Sequence, residues 1–409
     1  MKTLIISTSD LHGGAAIASY RLLNALHAQG ESVKMLVRDK FSNNPLIIKV
    51  GNPLQNKWNF YRERAKIFLH NRLSRKYLFD VSIANTGISI ADLPEFREAD
   101  IIHLHWINQG MLSISEISNI IASGKKIVWT MHDMWSFTGI CHHAGNCYRY
   151  EISCGLCPYL VVDSQNDLSN AVFRKKQKAY SQGDITFVAC SKWLQHLANQ
   201  SPLTNNHSVV SIPNPIDTQT YQPKSKAQIR TQLNLPTDKK IILFAAVKAS
   251  DKRKGMDYLI EASRLLQSKN DDLMFLIVGN KGAEIEKQLA LPSINMDYIS
   301  PERMPDFYNV ANVFVTPSLQ ENLPNTIMEA MSCGTPCVGF NIGGIPEMID
   351  HQKTGYVAEY KNSEDLARGL LWTLFEADNE ALRTNAREKV LSEYAQEKIA
   401  KQYIENKKK

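Results

Sequence analysis

Short apolar runs alternate with stretches of helical spacing along most of the chain, most regularly in its second half. Strands that alternate with helices in this way predict βαβ units and a parallel sheet. The predicted strands are residues 2–8, 32–37, 46–50, 100–106, 126–133, 185–191, 240–247, 273–279, 296–299, 312–316, 336–340 and 355–358. The predicted helices are residues 17–29, 256–267, 283–289, 305–311, 324–333, 363–377 and 380–409.

The chain has 409 residues, which is too long for one hydrophobic core, so domain sizes predict two domains of roughly 200 residues each. The connection Ile212-Pro-Asn-Pro-Ile-Asp217 contains two prolines and marks the boundary. We predict a Rossmann-like domain over residues 1–210 with a cysteine-rich insert at 139–160. A second Rossmann-like domain is predicted over 211–385, and a helix over 386–409 that packs back towards the first domain.

Composition is typical of a soluble globular protein, with 44% hydrophobic and 22% charged residues. The net charge of +6 suits an anionic small ligand or membrane surface and is too mild to indicate nucleic acid. The first apolar run is too short for a signal peptide, and no stretch approaches the roughly 18 apolar residues of a membrane span. Residues 57–76 are basic and aromatic with helical spacing, which is typical of a membrane-surface helix but also of an ordinary exposed one. We expect a cytoplasmic protein, either free or bound at the inner face of the membrane.

Four of the seven cysteines, Cys141, Cys147, Cys154 and Cys157, lie close together in the sequence. The last two have the C-x2-C spacing with which two thiolates grip a tetrahedral zinc ion. All four, or three with a neighbouring histidine, would complete a structural zinc site, and a buried or partly oxidised loop is the alternative. Four thiolates would close the coordination sphere, which disfavours a catalytic zinc. The other cysteines are expected to be small core residues: Cys190, Cys333 and Cys337.

Several residues with binding chemistry lie where predicted strands end, which is where open α/β sheets carry their sites. Gly13 and Gly14 follow the first strand and would let the backbone approach an anion, although a tight turn explains them equally well. His132 ends a strand before an irregular segment and is the better candidate for ligand contact. His103 and His105, each taken alone, can be explained as residues that pack in the interior.

Two carboxylates stand out in the stretch over residues 317–347. Pro324 suits a first helical position, and Gly334 suits the end of the same helix. Glu321 then lies in the loop before the helix, and Glu329 lies within its first two turns. Beside the positive end of a helix, this pair predicts a corner that binds polyols and phosphates.

A basic loop, Lys248-Ala-Ser-Asp-Lys-Arg253-Lys254-Gly255, precedes another predicted helix. Cations at a helix N-terminus are unfavourable unless they hold an anion, and diphosphate is the natural candidate. An ordinary solvated loop is the alternative.

Together these features resemble the retaining glycosyltransferases of family 4. That family has the GT-B fold, in which two Rossmann-like, doubly wound α/β domains face each other across a cleft. The resemblance covers nearly the whole chain. Its most specific part is the E-x7-E element from Glu321 to Glu329, continued by Gly343-Gly-Ile-Pro-Glu347. Supporting matches are Gly13-Gly14, His132-Asp133, the two-proline connection and Arg253-Lys254-Gly255.

The resemblance implies that the first domain binds the acceptor and the second the nucleotide-sugar donor. Glu329 is expected to bind the ribose hydroxyls and Glu321 to lie beside the donor sugar. Lys254 is expected to hold the diphosphate, and His132 to contact the sugar near the bond that breaks. The remaining donor contacts are implied for backbone groups at Gly13, Gly14, Asn322, Leu323 and Pro324.

One departure from the family's pattern concerns the diphosphate. Members often carry an arginine at the end of the strand before the basic loop, where this chain has Ala245-Ala-Val-Lys248. Either Lys248 or Arg253 is left to take its place, and a lysine offers a point charge instead of a bidentate fork.

The resemblance further implies a retaining, front-face transfer in which the departing phosphate helps to deprotonate the acceptor. The resemblance also implies that no cofactor is required for catalysis. The implied function is transfer of a sugar from a nucleotide-diphosphate sugar to a glycan or lipid-linked glycan in surface polysaccharide biosynthesis. The alternatives are a GT-B nucleotide-sugar epimerase and a protein that binds sugar nucleotides without catalysis.

Overall fold

The structure is a computed structural model that describes residues 1–161, 164–267 and 272–406. It divides into two units. Unit 1 comprises Met1–Pro213 and the C-terminal segment from Ala400, and unit 2 comprises Asn214–Ile399. Each unit is built around its own parallel sheet.

Unit 1 has a single parallel sheet among its described residues. Its strands are β1 (Lys2–Ser9), β2 (Ser32–Asp39), β3 (Ile47–Lys49), β4 (Ile101–Leu104), β5 (Lys126–Met131), β6 (Ile185–Ala189) and β7 (Ser208–Ser211). They are ordered β3-β2-β1-β4-β5-β6-β7, so the direction of winding reverses between β1 and β4. Its helices are α1 (Gly14–Ala28), α2 (Pro53–His70), α3 (Pro94–Glu98), α4 (Ile114–Ile121), α5 (Leu168–Tyr180) and α6 (Lys192–Ala198).

Unit 2 repeats this plan. Its strands are β8 (Lys240–Lys248), β9 (Leu273–Asn280), β10 (Ser293–Asn295), β11 (Val313–Thr316), β12 (Cys337–Phe340) and β13 (Gly355–Ala358). They are ordered β10-β9-β8-β11-β12-β13, with the reversal between β8 and β11. The helices are α7 (Lys226–Gln232), α8 (Met256–Gln267), α9 (Gly282–Glu286), α10 (Met304–Val310), α11 (Asn325–Ser332), α12 (Ile345–Met348), α13 (Ser363–Leu371), α14 (Asn379–Glu393) and α15 (Gln396–Asn406), whose residues from Ala400 belong to unit 1.

The inner strands of each sheet are buried on both faces, as parallel sheets covered by helices require, whereas the edge strands β3, β7 and β10 are largely half-buried or exposed. In β1 and β9 all but one terminal residue are buried. This is why the sequence shows continuous apolar runs instead of alternation. The predicted α/β class with doubly wound parallel sheets is confirmed.

The predicted single helix over residues 380–409 is wrong, because the structure has α14 and α15 in its place. Between them, Ile216 N–H donates to the Tyr394 carbonyl at 3.0 Å, and Gln396 N–H donates to the Ile216 carbonyl at 3.0 Å. These bonds pair Ile216 with Ala395 as in a parallel sheet, so the helix cannot continue through them. Residues 407–409 lie outside the described residues.

Other predicted elements shift at their ends. The helical stretch predicted over 57–76 ends at His70, after which Arg72 and Leu73 have φ of +48° and +63°. The strand predicted at 296–299 lies earlier, as β10, because the chain turns at Asp297 with φ of +43°. Arginine and leucine rarely adopt left-handed backbone, so the first turn has no signal in the sequence, whereas aspartate tolerates it.

Candidate functional site

In unit 2, the basic loop and the loop that carries Glu321 follow the neighbouring strands β8 and β11. A backbone hydrogen bond joins the two loops, since Leu319 N–H donates to the Arg253 carbonyl at 2.7 Å. Parallel neighbours end at the same edge of a sheet, and this edge lies at the reversal of strand order, where α/β sheets bind ligands.

Two glycines allow the loops to pack backbone against backbone. Gly255 has φ of +69°, and a Cβ placed on it would lie 1.8 Å from the Pro317 carbonyl oxygen. Gly343, in the loop after β12, has φ of +59°, and its Cβ would lie 1.8 Å from the Glu321 carbonyl oxygen. No other residue type fits either position without movement of the main chain.

The predicted diphosphate lysine and the predicted sugar carboxylate form an ion pair. Lys254 Nζ donates to Glu321 Oε1, and Ser318 Oγ donates to the same oxygen at 3.2 Å. The Lys254 side chain is 33% exposed and that of Glu321 is 14% exposed, so both remain accessible to a ligand. The structure therefore brings these two residues together.

Glu329 lies inside α11 and is buried, with only 7% of its surface exposed. Tyr308 on α10 donates its hydroxyl to Glu329 Oε2 at 2.7 Å. Burial and the nearby carboxylate raise the pKa of Tyr308 well above its usual value, so the hydroxyl keeps its proton. Pro324 is the N-cap of α11, so the helix begins at Asn325, one residue after the predicted start, and Gly334 follows the helix with φ of +72°.

The other predicted donor residues of unit 2 lie in the same two loops as this pair. Lys248 is exposed at the end of β8, where the register with β9 shifts. Arg253 hydrogen-bonds Asp251 through Nη2 and Oδ2 at 2.8 Å. Burial tends to raise the pKa of Asp251, but the hydrogen bonds and charge of Arg253 hold it below its usual value. Asn322 and Leu323 are both buried.

In unit 1, His132 directly follows β5, is half-buried, and belongs to a chain of side-chain contacts. Its Nε2 lies 2.9 Å from His105 Nδ1, and its Nδ1 lies 3.6 Å from Cys190 Sγ. Burial lowers the pKa of His132 to about 4. Burial, together with the charges of His103 and His132, lowers the pKa of His105 well below its usual value. Both imidazoles are therefore neutral at neutral pH.

Asp133 organises the segment after this strand. It accepts from Trp106 Nε1 at 2.9 Å, from Trp135 N–H at 2.8 Å and lies 2.7 Å from His142 Nδ1. Burial tends to raise the pKa of Asp133, but the charge and hydrogen bond of His142 hold it well below its usual range. His142 Nε2 lies 3.0 Å from Ser82 Oγ, so both its ring nitrogens already have partners.

Gly13 and Gly14 follow β1 at the other predicted anion site. Gly13 is the N-cap of α1 with φ of +93°, and an added Cβ would meet nothing within 4 Å. Space therefore exists for a ligand to approach the backbone at this helix start.

Two family models match the chain, Glycosyltransferase Family 4 over residues 12–220 and Glycosyl transferases group 1 over residues 225–391. The first alone matches half of the chain. The chain belongs to glycosyltransferase family 4.

Curated relatives agree with this family 4 assignment. Lipopolysaccharide 1,2-N-acetylglucosaminetransferase of Salmonella typhimurium is 28% identical over 214 residues, which are 48% of this chain and 56% of the relative. N-acetyl-alpha-D-glucosaminyl L-malate synthase of Bacillus anthracis is 22% identical over 332 residues, 80% of this chain and 78% of the relative. The chain thus spans only about half of the Salmonella enzyme.

Solved structures show the same fold. Sucrose-phosphate synthase from Thermosynechococcus elongatus has a TM-score of 0.69 at 20% identity, covering 100% of this chain and 98% of that one. Anabaena HepE in complex with UDP and glucose has a TM-score of 0.66 at 16% identity, covering 99% of each chain. The family 4 chain has the GT-B fold.

The four clustered cysteines of this family 4 chain come together in unit 1. Cys141, Cys147, Cys154 and Cys157 are free thiols that line one cavity of about 20 Å³, which is room for about one water molecule or ion. Burial raises the pKa of three of them, Cys141, Cys154 and Cys157, to about 12. Among the residues that the structure describes, no three His, Cys, Asp or Glu side chains are placed to hold a metal ion. The structural zinc stays a prediction.

Sequence reasoning missed Tyr308 and the role of His105. No pattern indicates Tyr308, because it lies among buried residues of the short helix α10. A signal did exist for His105, since it follows β4 and the parallel neighbour β5 is followed by His132.

Gly255→Ala should destabilise the protein more than Gly124→Ala. Both glycines have left-handed φ, +69° and +73°, but an added Cβ meets nothing within 4 Å at Gly124. We expect a loss of about 1–2 kcal/mol for Gly124→Ala from backbone strain, and about 2–3 kcal/mol more for Gly255→Ala from the clash with Pro317. Urea denaturation measures both, and equal losses would contradict the backbone packing.

Acid should destabilise the wild type more than His132→Gln. The pKa of His132 falls to about 4 in the folded state, below its usual value of 6.5. The unfolded chain therefore binds the extra proton first, and stability is lost as pH falls from 6.5 towards 4. Urea denaturation at neutral pH and at pH about 4.5 should show an excess loss on the order of 2 kcal/mol in the wild type. Equal losses in the two proteins would contradict the neutral state of His132.

Metal analysis tests the zinc prediction. If the prediction is right, the purified wild type contains about one zinc ion per chain, and the Cys154→Ser/Cys157→Ser double variant contains none. Cys333→Ser is the control, because that cysteine is buried in unit 2, away from the cluster. Less than about half an equivalent of zinc or iron in the wild type would discard the prediction.

Proposed function

We propose that this chain is a retaining glycosyltransferase that moves a sugar from a nucleotide-diphosphate sugar to a glycan or lipid-linked glycan acceptor in surface polysaccharide biosynthesis. The observation that carries the proposal is the accessible ion pair of Lys254 and Glu321 at the reversal point of the unit 2 sheet. Membership of family 4 supports the same reading.

The leaving group explains the basic side of this pair. Negative charge builds on the diphosphate as its bond to the sugar breaks, and a positioned cation stabilises that charge. Lys254 would supply the cation, with Lys248 exposed nearby at the end of β8. Since Lys254 is held by Glu321 in the structure, a bound diphosphate would compete with the carboxylate for the ammonium group.

Glu321 and Glu329 suit substrate binding and charge stabilisation better than the two-step mechanism of a retaining glycosidase. A retaining glycosidase places two carboxyl groups about 5 Å apart, one as nucleophile and one as acid and base. Here Glu329 is buried against the Tyr308 hydroxyl, which suits binding of ribose hydroxyls. Glu321 is left to face the positive charge that develops on the sugar ring.

In the proposed front-face transfer, the bond between the anomeric carbon and the phosphate oxygen breaks while the acceptor hydroxyl bonds to the same face. The acceptor's proton passes to the departing phosphate oxygen. No protein base is required for this step. His132, neutral at neutral pH, would exchange its contact with His105 or Cys190 for a hydrogen bond to the sugar, without adding a charge beside the breaking bond.

The relatives suggest where to begin with substrates. HepE has been solved with UDP and glucose, and the glycosyltransferase WaaG, with a TM-score of 0.61, takes part in lipopolysaccharide biosynthesis. A UDP-sugar is therefore the first donor to test, and a lipopolysaccharide precursor the first acceptor.

A panel of nucleotide sugars, scored by calorimetry and by slow donor hydrolysis, tests the proposal. Glu329→Ala should weaken nucleotide binding by roughly 10- to 100-fold, as expected for loss of charged hydrogen bonds. Lys254→Ala should lower turnover by about 10²–10³-fold, because it removes the charge opposite the leaving group. Lys287→Ala removes an exposed lysine of the same unit and is the control that should leave both unchanged.

NMR of the product should show the anomeric configuration of the donor. Unchanged nucleotide binding in Glu329→Ala, or normal turnover in Lys254→Ala, would reject the corresponding role. Epimerised donor in the absence of any acceptor would instead identify an epimerase. Binding without turnover of any donor would identify a non-catalytic sugar-nucleotide-binding protein.

A further inference from the structure

The outward face of α2 in unit 1 carries large apolar side chains. Leu54, Trp58, Tyr61 and Leu69 are 81%, 66%, 64% and 65% exposed, and Ala65 between them is exposed as well. Their spacing of three or four residues places them on one side of the helix. At about 100° per residue they fill roughly 80° of its circumference.

The opposite side of α2 is the one that packs on unit 1. Ile67 and Glu63 are fully buried there. Glu63 Oε1 accepts from the backbone N–H groups of Ile83 and Ala84 at 2.7 and 2.8 Å. The helix is therefore anchored by its inner side, and folding of unit 1 does not account for the apolar residues on its outer side. Exposed apolar groups clustered in this way mark an interaction surface.

The charges around this outer side are positive. Lys57 and Arg62 are exposed on either side of the apolar residues, and Lys66 follows one turn after Arg62. The one acidic residue of α2, Glu63, is buried and paired with Arg64 at 2.9 Å. Beyond the helix, residues 71–76 add further exposed cations and no acid. The α2 face is the set of exposed residues Leu54, Lys57, Trp58, Tyr61, Arg62, Ala65 and Leu69, together with the half-buried Lys66.

We propose that the α2 face binds the surface of a membrane that contains anionic lipids. Tryptophan and tyrosine favour the boundary between headgroups and acyl chains, where leucine side chains can also be buried. The flanking cations would pair with anionic headgroups. No helix among the described residues is long and apolar enough to cross a bilayer, so α2 would lie along the surface.

Charge favours a lipid surface over a second copy of the chain. A two-fold interface places the same patch on both partners. The α2 faces of two copies would therefore bring lysines and arginines against each other without an acidic residue to compensate. An anionic bilayer complements both the apolar side chains and the cations at once.

Vesicle sedimentation tests this proposal without any donor or acceptor, so its result is independent of the transferase activity. The wild type should sediment with vesicles of phosphatidylcholine mixed with phosphatidylglycerol, and much less with phosphatidylcholine alone. Added salt should weaken the binding, because it screens the headgroup charges.

Three variants separate the contributions. Lys57→Gln/Arg62→Gln/Lys66→Gln should reduce the partition coefficient on the order of a hundredfold. Leu54→Ser/Trp58→Ser/Tyr61→Ser should reduce it at least about tenfold, since exposed side chains are removed from the bilayer contact. The control removes the same number of charges from another helix of unit 1 and should bind as the wild type does: Arg174→Gln/Lys175→Gln/Lys178→Gln on α5.

Circular dichroism and thermal melting confirm that each variant is folded. The proposal is overturned if the wild type stays in solution with anionic vesicles, or if the α5 control loses as much binding as the charge variant. It is also overturned if the wild type forms dimers that the α2 variants abolish while vesicle binding is absent.

Discussion

The candidate donor site depends on close approach of main chain to main chain. Gly255 lies against the Pro317 carbonyl and Gly343 against the Glu321 carbonyl, with no space for a side chain at either position. These contacts fix the loops after three neighbouring strands as one body. The positions of Lys254 and Glu321 follow from this, because each side chain extends from a loop that cannot shift independently of the other.

Burial governs the chemistry of unit 1 in a different way. Loss of hydration lowers the pKa of His105 and of His132, so neither imidazole carries a charge at neutral pH. One residue further along, Asp133 keeps its charge because hydrogen bonds from Trp106, Trp135 and His142 replace the water that it lost. At the end of β5, His132 is thus a neutral hydrogen-bond donor or acceptor, and the next residue, Asp133, is a fixed anion.

The sheets could be predicted from the sequence because their inner strands are buried on both faces, which produces long apolar runs such as β1 and β9. Glu321, Lys254 and His132 could be selected because they follow such runs. Tyr308 could not, since its hydroxyl reaches Glu329 through packing of α10 on α11 and no local pattern records that contact. The break between α14 and α15 could not be predicted for the same reason. Ile216, which pairs with Ala395 at the break, is far away in the sequence.

That bridge between Ile216 and Ala395 has a topological consequence. Unit 2 is continuous in sequence, whereas unit 1 resumes at Ala400. The bridge holds the entry and exit of unit 2 side by side, so the chain enters and leaves this unit at one place. Unit 2 is thus organised as an insertion into unit 1. In this layout a recombination event could exchange unit 2 as a whole while leaving both ends of the host chain in register.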